Sequence, residues 1–174
     1  GLKFHPIFLG LEDHLTYNRQ EARARWRQDE PEKLLTRVIR QYKPEVIITH
    51  DFNGEYGHGQ HKATAQVAAE VIELAAQADY DPQSADKWGI WQVRKCYVHL
   101  YEDNQITMNW EQPMEDDAIS PIFLAKEGFD KNKSQLAYFS MEKQGAEYDN
   151  HLFGLYYSSV GPDVQMNDFM ENIR

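Results

Sequence analysis

The strongest constraint on the fold is an apolar run that leads into a glycine- and histidine-rich loop and then into an alanine-rich stretch. Val46-Ile47-Ile48 has the length and composition of a strand, and we expect both of its faces to be covered. Apolar residues then recur at helical spacing over residues 60–78. The order strand, loop, helix is typical of a parallel α/β unit.

The loop over residues 51–61 contains two histidines three residues apart, and we expect the chemistry of the protein to lie there. Open α/β sheets bind their ligands at the carboxyl ends of strands. His58 and His61 would point to the same side of the first helical turn and could share one metal ion or one substrate oxygen. A neutral imidazole can give one nitrogen to Zn²⁺ in a site that keeps a position for water. From the spacing alone, a structural role stays equally open for each histidine.

The rest of the chain is predicted to alternate between helices and strands. The predicted helices span residues 18–27, 29–42 and 125–139, and the predicted strands span residues 45–49, 91–100 and 105–110. Asp103-Asn104 would form the turn between the last two strands. Aspartates, proline and serine predict a surface loop over residues 79–87.

Length, charge and cysteine content exclude several classes of function. The 174 residues suit one domain, and their 41% apolar and 13% aromatic content is that of a folded chain. No run approaches the roughly 18 consecutive apolar residues of a membrane span. A formal charge of −10, from 28 acidic and 18 basic residues, disfavours nucleic acid as a partner. Cys96 is the single cysteine, so no internal disulfide can form, and we expect a cytoplasmic protein.

Read as a whole, the loop has the pattern Asp51-x-Asn53-Gly54-x-Tyr56-Gly57-His58-x-x-His61. This pattern resembles the second signature of the LmbE-like, or PIG-L, family of zinc-dependent N-acetylglucosamine deacetylases. Residues 133–135, 156–163 and 167–169 resemble the C-terminal region of the same family. The resemblance implies one LmbE-like α/β domain over residues 1–174, with a Rossmann-like three-layer α/β/α arrangement and a mostly parallel sheet.

The resemblance also implies roles for individual residues of the loop. His61 matches the third zinc ligand of the family, although another divalent metal could take that place. His58 matches a histidine beside the metal, which in its protonated form stabilises the oxyanion and then protonates the leaving amine. Tyr56 matches a tyrosine that polarises the substrate carbonyl in some relatives. We name Asn53 and Glu55 as candidate substrate-binding residues, although Asx residues also order loops.

Two parts of the family pattern differ in this chain. The first family signature, a His-x-Asp-Asp motif that supplies two zinc ligands and the general base, does not occur. Since the chain begins with Gly1, we expect an N-terminal α/β layer with that motif to lie outside this sequence. We therefore expect the 174-residue chain alone neither to bind zinc tightly nor to deacetylate. Gly59-Gln60 also replaces the proline and aspartate that many relatives have within His-x-x-His.

The function that the resemblance implies is removal of an acetyl group from an N-acetylated sugar conjugate by metal-activated water. One alternative is an amide hydrolase of the same family that acts on thiol conjugates or antibiotics. Another is a catalytically incomplete domain that binds sugar or serves as a scaffold. The sequence indicates no particular oligomeric state.

Overall fold

The computed structural model describes residues 5–27, 29–114, 118–134, 136 and 149–173. The helices are α1 (Arg19–Arg25), α2 (Glu30–Tyr42), α3 (Gly59–Ala76), α4 (Pro82–Trp88) and α5 (Pro121–Phe129). The strands are β1 (Val46–Thr49), β2 (Lys95–His99), β3 (Gln105–Thr107) and β4 (Leu152–Ser158). A 3-10 turn over Glu55–Gly57 precedes α3. Within these described residues, no helix is both long enough and apolar enough to cross a membrane.

The strands form a mixed sheet in the order β1-β2-β4-β3. β1 runs parallel to β2, whereas β4 is antiparallel to both of its neighbours. The prediction of a mostly parallel sheet is therefore wrong for the described part of the chain, while its α/β character is confirmed. Asp103-Asn104 does form a turn, but β4 lies between β2 and β3, so this turn does not join a hairpin.

Apolar side chains pack on both faces of the sheet. On one face, α1, α2 and α3 cover a core that includes Ala22, Ile39, Val71 and Val98. The alanines of α3 at positions 63, 65, 68 and 75 are buried, and their small side chains allow this helix to pack closely. On the other face, Tyr97, Ile106 and Leu155 form a second, smaller cluster. Whether the whole protein has three layers stays a prediction.

The strand that leads to the histidine loop is less buried than expected. Ile47 packs against the core below the helices, but Ile48 is 49% exposed. On the other face of β1, Val46 packs against the second cluster. The prediction that both faces of this strand are covered is therefore confirmed at Val46 and Ile47 and wrong at Ile48.

Two element boundaries also differ from the predictions. Part of the predicted loop over residues 79–87 forms α4, which begins at Pro82 directly after Asp81 in a left-handed conformation. The predicted helix over residues 125–139 begins earlier, at Pro121, because a proline in the first helical turn needs no N–H partner. It ends at Phe129, and residues 135 and 137–139 of that prediction lie outside the described residues.

Candidate metal centre

The histidines collect where the parallel strands end and α3 begins. His50 directly follows β1, and His99 is the last residue of β2, in a register that pairs Thr49 with Val98. His58 is the N-cap of α3, and His61 lies in its first turn. Because parallel strands end at the same edge of a sheet, His50 and His99 lie at that edge together. His58 and His61 lie beside the same loop, at the start of α3.

The conformation of this loop is fixed by its own backbone and by Asp51. Gly54 has φ 71°, and a Cβ added there would lie 2.6 Å from the carbonyl oxygen of His58. Tyr56 has φ 47° in the left-handed region, which non-glycine residues adopt rarely and often at functional sites. The carboxylate of Asp51 accepts hydrogen bonds from the backbone N–H of Asn53 at 3.0 Å and from its side-chain amide at 3.3 Å.

The carboxylate of Glu55 lies at the centre of the site. Its Oε1 atom accepts hydrogen bonds from the backbone N–H of Asp51 and from His99 Nδ1, both at 3.1 Å. Its Oε2 atom lies 2.6 Å from His50 Nδ1 and 3.3 Å from His61 Nδ1. Each oxygen therefore faces two nitrogen atoms, and the side chain connects the ends of both parallel strands with the start of α3.

Three of these side chains fit the requirements of a metal ion. His50, Glu55 and His61 each offer one ligand atom, and these atoms all lie within 4.8 Å of one another. Within the described part of the chain, Glu55 Oε2 and His61 Nδ1 are buried but receive no hydrogen bond of acceptable geometry. The imidazole rings of His50 and His61 stack at 4.4 Å with an interplanar angle of 2°. Two imidazoles and one carboxylate suit Zn²⁺ and several other divalent ions.

The charges in the cluster follow from burial and from the histidines. Burial alone would raise the pKa of Glu55, but His50, His61 and His99 outweigh it and hold this pKa far below its ordinary range. Burial alone would lower the pKa of His99, but the hydrogen bonds to Glu55 and to the carbonyl of Asp149 raise it. Because both ring nitrogens of His99 face oxygen acceptors, its ring carries a hydrogen on each.

The structure brings Tyr56, His58 and His61 together, as the sequence predicted. The ring of His61 lies 4.9 Å from that of His58 and 5.1 Å from that of Tyr56. Burial, and then the neighbouring His61, lower the pKa of His58, so the protonated form that the resemblance implied is disfavoured here. His58 Nδ1 accepts a hydrogen bond from the backbone N–H of Gln60 at 3.3 Å. In the neutral ring, Nε2 therefore carries the hydrogen.

Gly59 and Gln60 make structural contacts at the positions where the family resemblance implies proline and aspartate. A Cβ added at Gly59 would lie 2.7 Å from the carbonyl oxygen of Asn18, so a larger residue would displace this segment. The side-chain amide of Gln60 donates to the carbonyl of Glu12 at 2.6 Å and accepts from the backbone N–H of His14 at 2.7 Å. A carboxylate at position 60 could not donate, so glutamine suits this contact with residues 12–18.

A pocket of about 420 Å³ opens beside the cluster. His50, Glu55 and His99 line it together with Ile48, Thr49, Thr64, Asn150 and Phe153. Its size lies within the range of small-molecule sites. Glu55 thus lies at this pocket, whereas the side-chain amide of Asn53 donates to Asp51, and a role of Asn53 in substrate binding stays a prediction.

Sequence reasoning missed two of these residues. The side chain of His50 is 41% exposed and faces Glu55. His99 lines the pocket beside the cluster. The available signal was that His50 directly follows one predicted strand and His99 lies near the end of another, so that a parallel pairing of the two strands would bring both to the same edge.

Comparison with known proteins finds similarity in the segment that contains the histidine loop. Residues 2–72 match the PIG-L family, described as GlcNAc-PI de-N-acetylase. The 1D-myo-inositol 2-acetamido-2-deoxy-alpha-D-glucopyranoside deacetylase of Geodermatophilus obscurus is 38% identical over 79 residues, which are 44% of this chain and 26% of that protein. A protein with a corresponding name from Frankia alni is 34% identical over 79 residues, which are 44% of this chain and 26% of that protein. Another from Rhodococcus erythropolis is 39% identical over 62 residues, which are 36% of this chain and 21% of that protein. The matched segment thus spans about a quarter of these curated relatives.

Proposed function

We propose that this protein is a metal-dependent amide hydrolase that removes an acetyl group from an N-acetylglucosamine-type substrate. The match of residues 2–72 to the PIG-L family supports this proposal. Three relatives are named as deacetylases of an acetamido sugar linked to inositol. The observation that carries the proposal is the convergence of His50, Glu55 and His61, with two buried ligand atoms that lack hydrogen bonds, beside His58 and Tyr56.

We propose that His50, Glu55 and His61 hold one divalent ion, with Zn²⁺ as the expected metal. Such an ion, when bound, activates water and polarises the acyl oxygen of the substrate. The sequence assigned Glu55 to the sugar and His61 alone to the metal. Since both oxygens of Glu55 face nitrogen atoms of the site, we reassign it as a ligand. Because this chain would supply three protein ligands, we propose that it binds zinc by itself, which replaces the expectation that the chain alone would not bind zinc tightly.

His58 and Tyr56 would act on the substrate amide. The Nε2–H group of neutral His58 can donate a hydrogen bond to the acyl oxygen as negative charge develops on it. Burial raises the pKa of Tyr56, so its hydroxyl keeps its proton and can donate to the same oxygen. These two donors sit next to His61, and the reacting carbonyl would therefore lie between them and the metal ligands.

The pocket would hold the sugar. Ile48 and Phe153 offer apolar surface to the ring, while Thr49, Thr64 and Asn150 offer partners for its hydroxyl groups. No His-x-Asp-Asp motif occurs among the 174 residues, so we propose that this chain alone has little or no turnover. The single unpaired cysteine, which is buried, supports the proposal of a cytoplasmic location.

Titration of N-acetylglucosamine into the metal-free chain, with and without one equivalent of Zn²⁺, tests the proposal by calorimetry. We expect binding only with the metal, weakened by Glu55→Gln and unchanged by Glu73→Gln, an exposed carboxylate on α3. Equal binding without metal would favour the sugar-binding or scaffolding alternative, and absence of binding in both samples would refute the proposal. Amine release from a panel of N-acetylated sugars and other amides tests the proposed low turnover: we expect little or no release by this chain, and rapid release from any of the amides would contradict that part of the proposal.

A further inference from the structure

We infer that His99 is a positioning residue, which orients the carboxylate of Glu55 with one ring nitrogen and anchors the wall of the pocket with the other. This inference rests on the proposed metal centre, and it concerns a histidine that the family resemblance did not assign. His99 ends β2, and its side chain is only 12% exposed. Its position between a candidate ligand and a backbone carbonyl distinguishes it from the other histidines of the site.

The first contact sets the orientation of Glu55. His99 Nδ1 and the backbone N–H of Asp51 both donate to Oε1 of Glu55 at 3.1 Å. With Oε1 held by two donors, Oε2 is the oxygen that points at His50 and His61. A free glutamate side chain would have to lose rotamer freedom on binding a metal, and a carboxylate that is already held loses less.

The second contact reaches the segment before β4. His99 Nε2 donates to the carbonyl oxygen of Asp149 at 2.5 Å. The next residue, Asn150, lines the pocket, and its carbonyl oxygen accepts from the indole N–H of Trp110 at 2.7 Å. The ring of Phe153, also in the pocket, lies 5.3 Å from that of His99. One imidazole thus connects the metal ligand with the wall that would face the sugar.

Two substitutions separate the two contacts. His99→Asn keeps an amide donor near the position of Nδ1 but is too short to reach Asp149. His99→Gln places its amide near the position of Nε2 and loses the donor to Glu55. His5→Gln removes an exposed histidine far from β2 in sequence and serves as the matched control. Urea denaturation of all variants shows whether the fold is retained.

Zinc affinity, measured by competition with a chromophoric chelator, gives the first readout. We expect His99→Gln to weaken Zn²⁺ binding by about tenfold or more, as is typical for loss of a residue that orients a ligand. His99→Asn and His5→Gln should stay close to the unsubstituted chain. A general loss of structure would weaken binding in both His99 variants, so rescue by asparagine is specific to positioning.

Hydrogen exchange in the metal-free chain gives the second readout. The Asp51 amide should exchange faster in His99→Gln than in His99→Asn, because Glu55 is then free to turn away from it. The indole N–H of Trp110 should show the opposite order, since it reports on the segment that Asp149 anchors. Equal exchange of both groups in the two variants would overturn the inference. If the unsubstituted chain binds no zinc, the metal centre fails, yet the exchange comparison still decides the role of His99.

Discussion

Arg40→Lys tests how the end of α3, the helix that carries His61, is held. The guanidinium of Arg40 is fully buried, and its five N–H groups face six acceptors within hydrogen-bond distance. Its acceptors are the carbonyl oxygens of Leu74, Ala75, Gln77, Tyr80 and Asp81 and the hydroxyl of Ser84. These groups lie in the last turn of α3, in the link to α4 and, for Ser84, in α4 itself, so one side chain connects the two helices.

The magnitude follows from the number of donors. Lysine keeps the charge but has three N–H groups on one atom, so at least three of the six acceptors lose their hydrogen bond from this side chain. At about 1 kcal/mol for each hydrogen bond lost, we expect the free energy of unfolding to fall by about 3 kcal/mol. This is a large share of the roughly 5–15 kcal/mol that stabilises a typical domain, but it leaves the variant folded.

Urea denaturation followed by circular dichroism at a helical wavelength measures the change. Arg37→Lys is the matched control, because Arg37 lies on the same helix but is 35% exposed and pairs mainly with Asp81. Arg37→Lys keeps the positive charge beside Asp81 and loses one of two hydrogen bonds to it, so we expect this change to cost about 1 kcal/mol. The reasoning is refuted if Arg40→Lys costs no more than Arg37→Lys.

Three further changes test other parts of the fold. Gly154→Ala would place a Cβ 2.1 Å from a backbone carbonyl oxygen and should prevent native folding, as read by circular dichroism, while Gly128→Ala, with open space around it, should not. Asp163→Asn leaves the buried ammonium of Lys95 without its ion pair and should cost about 3–5 kcal/mol in urea denaturation; pairing Asp163→Leu with Lys95→Met should cost less. Burial raises the pKa of Cys96 from 9.0 to about 12, so between pH 9 and pH 12 the thiol ionises only in the unfolded chain. The free energy of unfolding should therefore fall by up to about 1.4 kcal/mol for each unit that the pH rises. Cys96→Ala should remove that part of the slope in alkaline urea titrations, and an unchanged slope would contradict the assignment.

Local patterns predicted the part of the molecule that carries the histidine loop. Apolar spacing located β1 and α3, and the i, i+3 spacing placed His58 and His61 on the same side of the first turn. These predictions succeed because they depend on periodicity within a single element. The family resemblance then assigned chemistry to residues that spacing alone left open.

Long-range pairing could not be predicted in the same way. β4 inserts between β2 and β3, and nothing local in β2 or β3 indicates a partner about fifty residues further along the chain. The same limit applies to His50 and His99, whose roles depend on the parallel register of β1 and β2. Glu55 was assigned to the sugar because its histidine neighbours come together only in the folded chain.

Zinc stoichiometry tests most directly whether His50, Glu55 and His61 form a metal centre. The metal-free chain would be titrated with Zn²⁺ against a chromophoric chelator, together with Glu55→Gln and the control Glu73→Gln. We predict that the chain binds one equivalent of zinc. The affinity should fall more than about tenfold in Glu55→Gln and stay unchanged in Glu73→Gln. Absence of stoichiometric binding, or equal affinity in Glu55→Gln, would contradict the proposed centre.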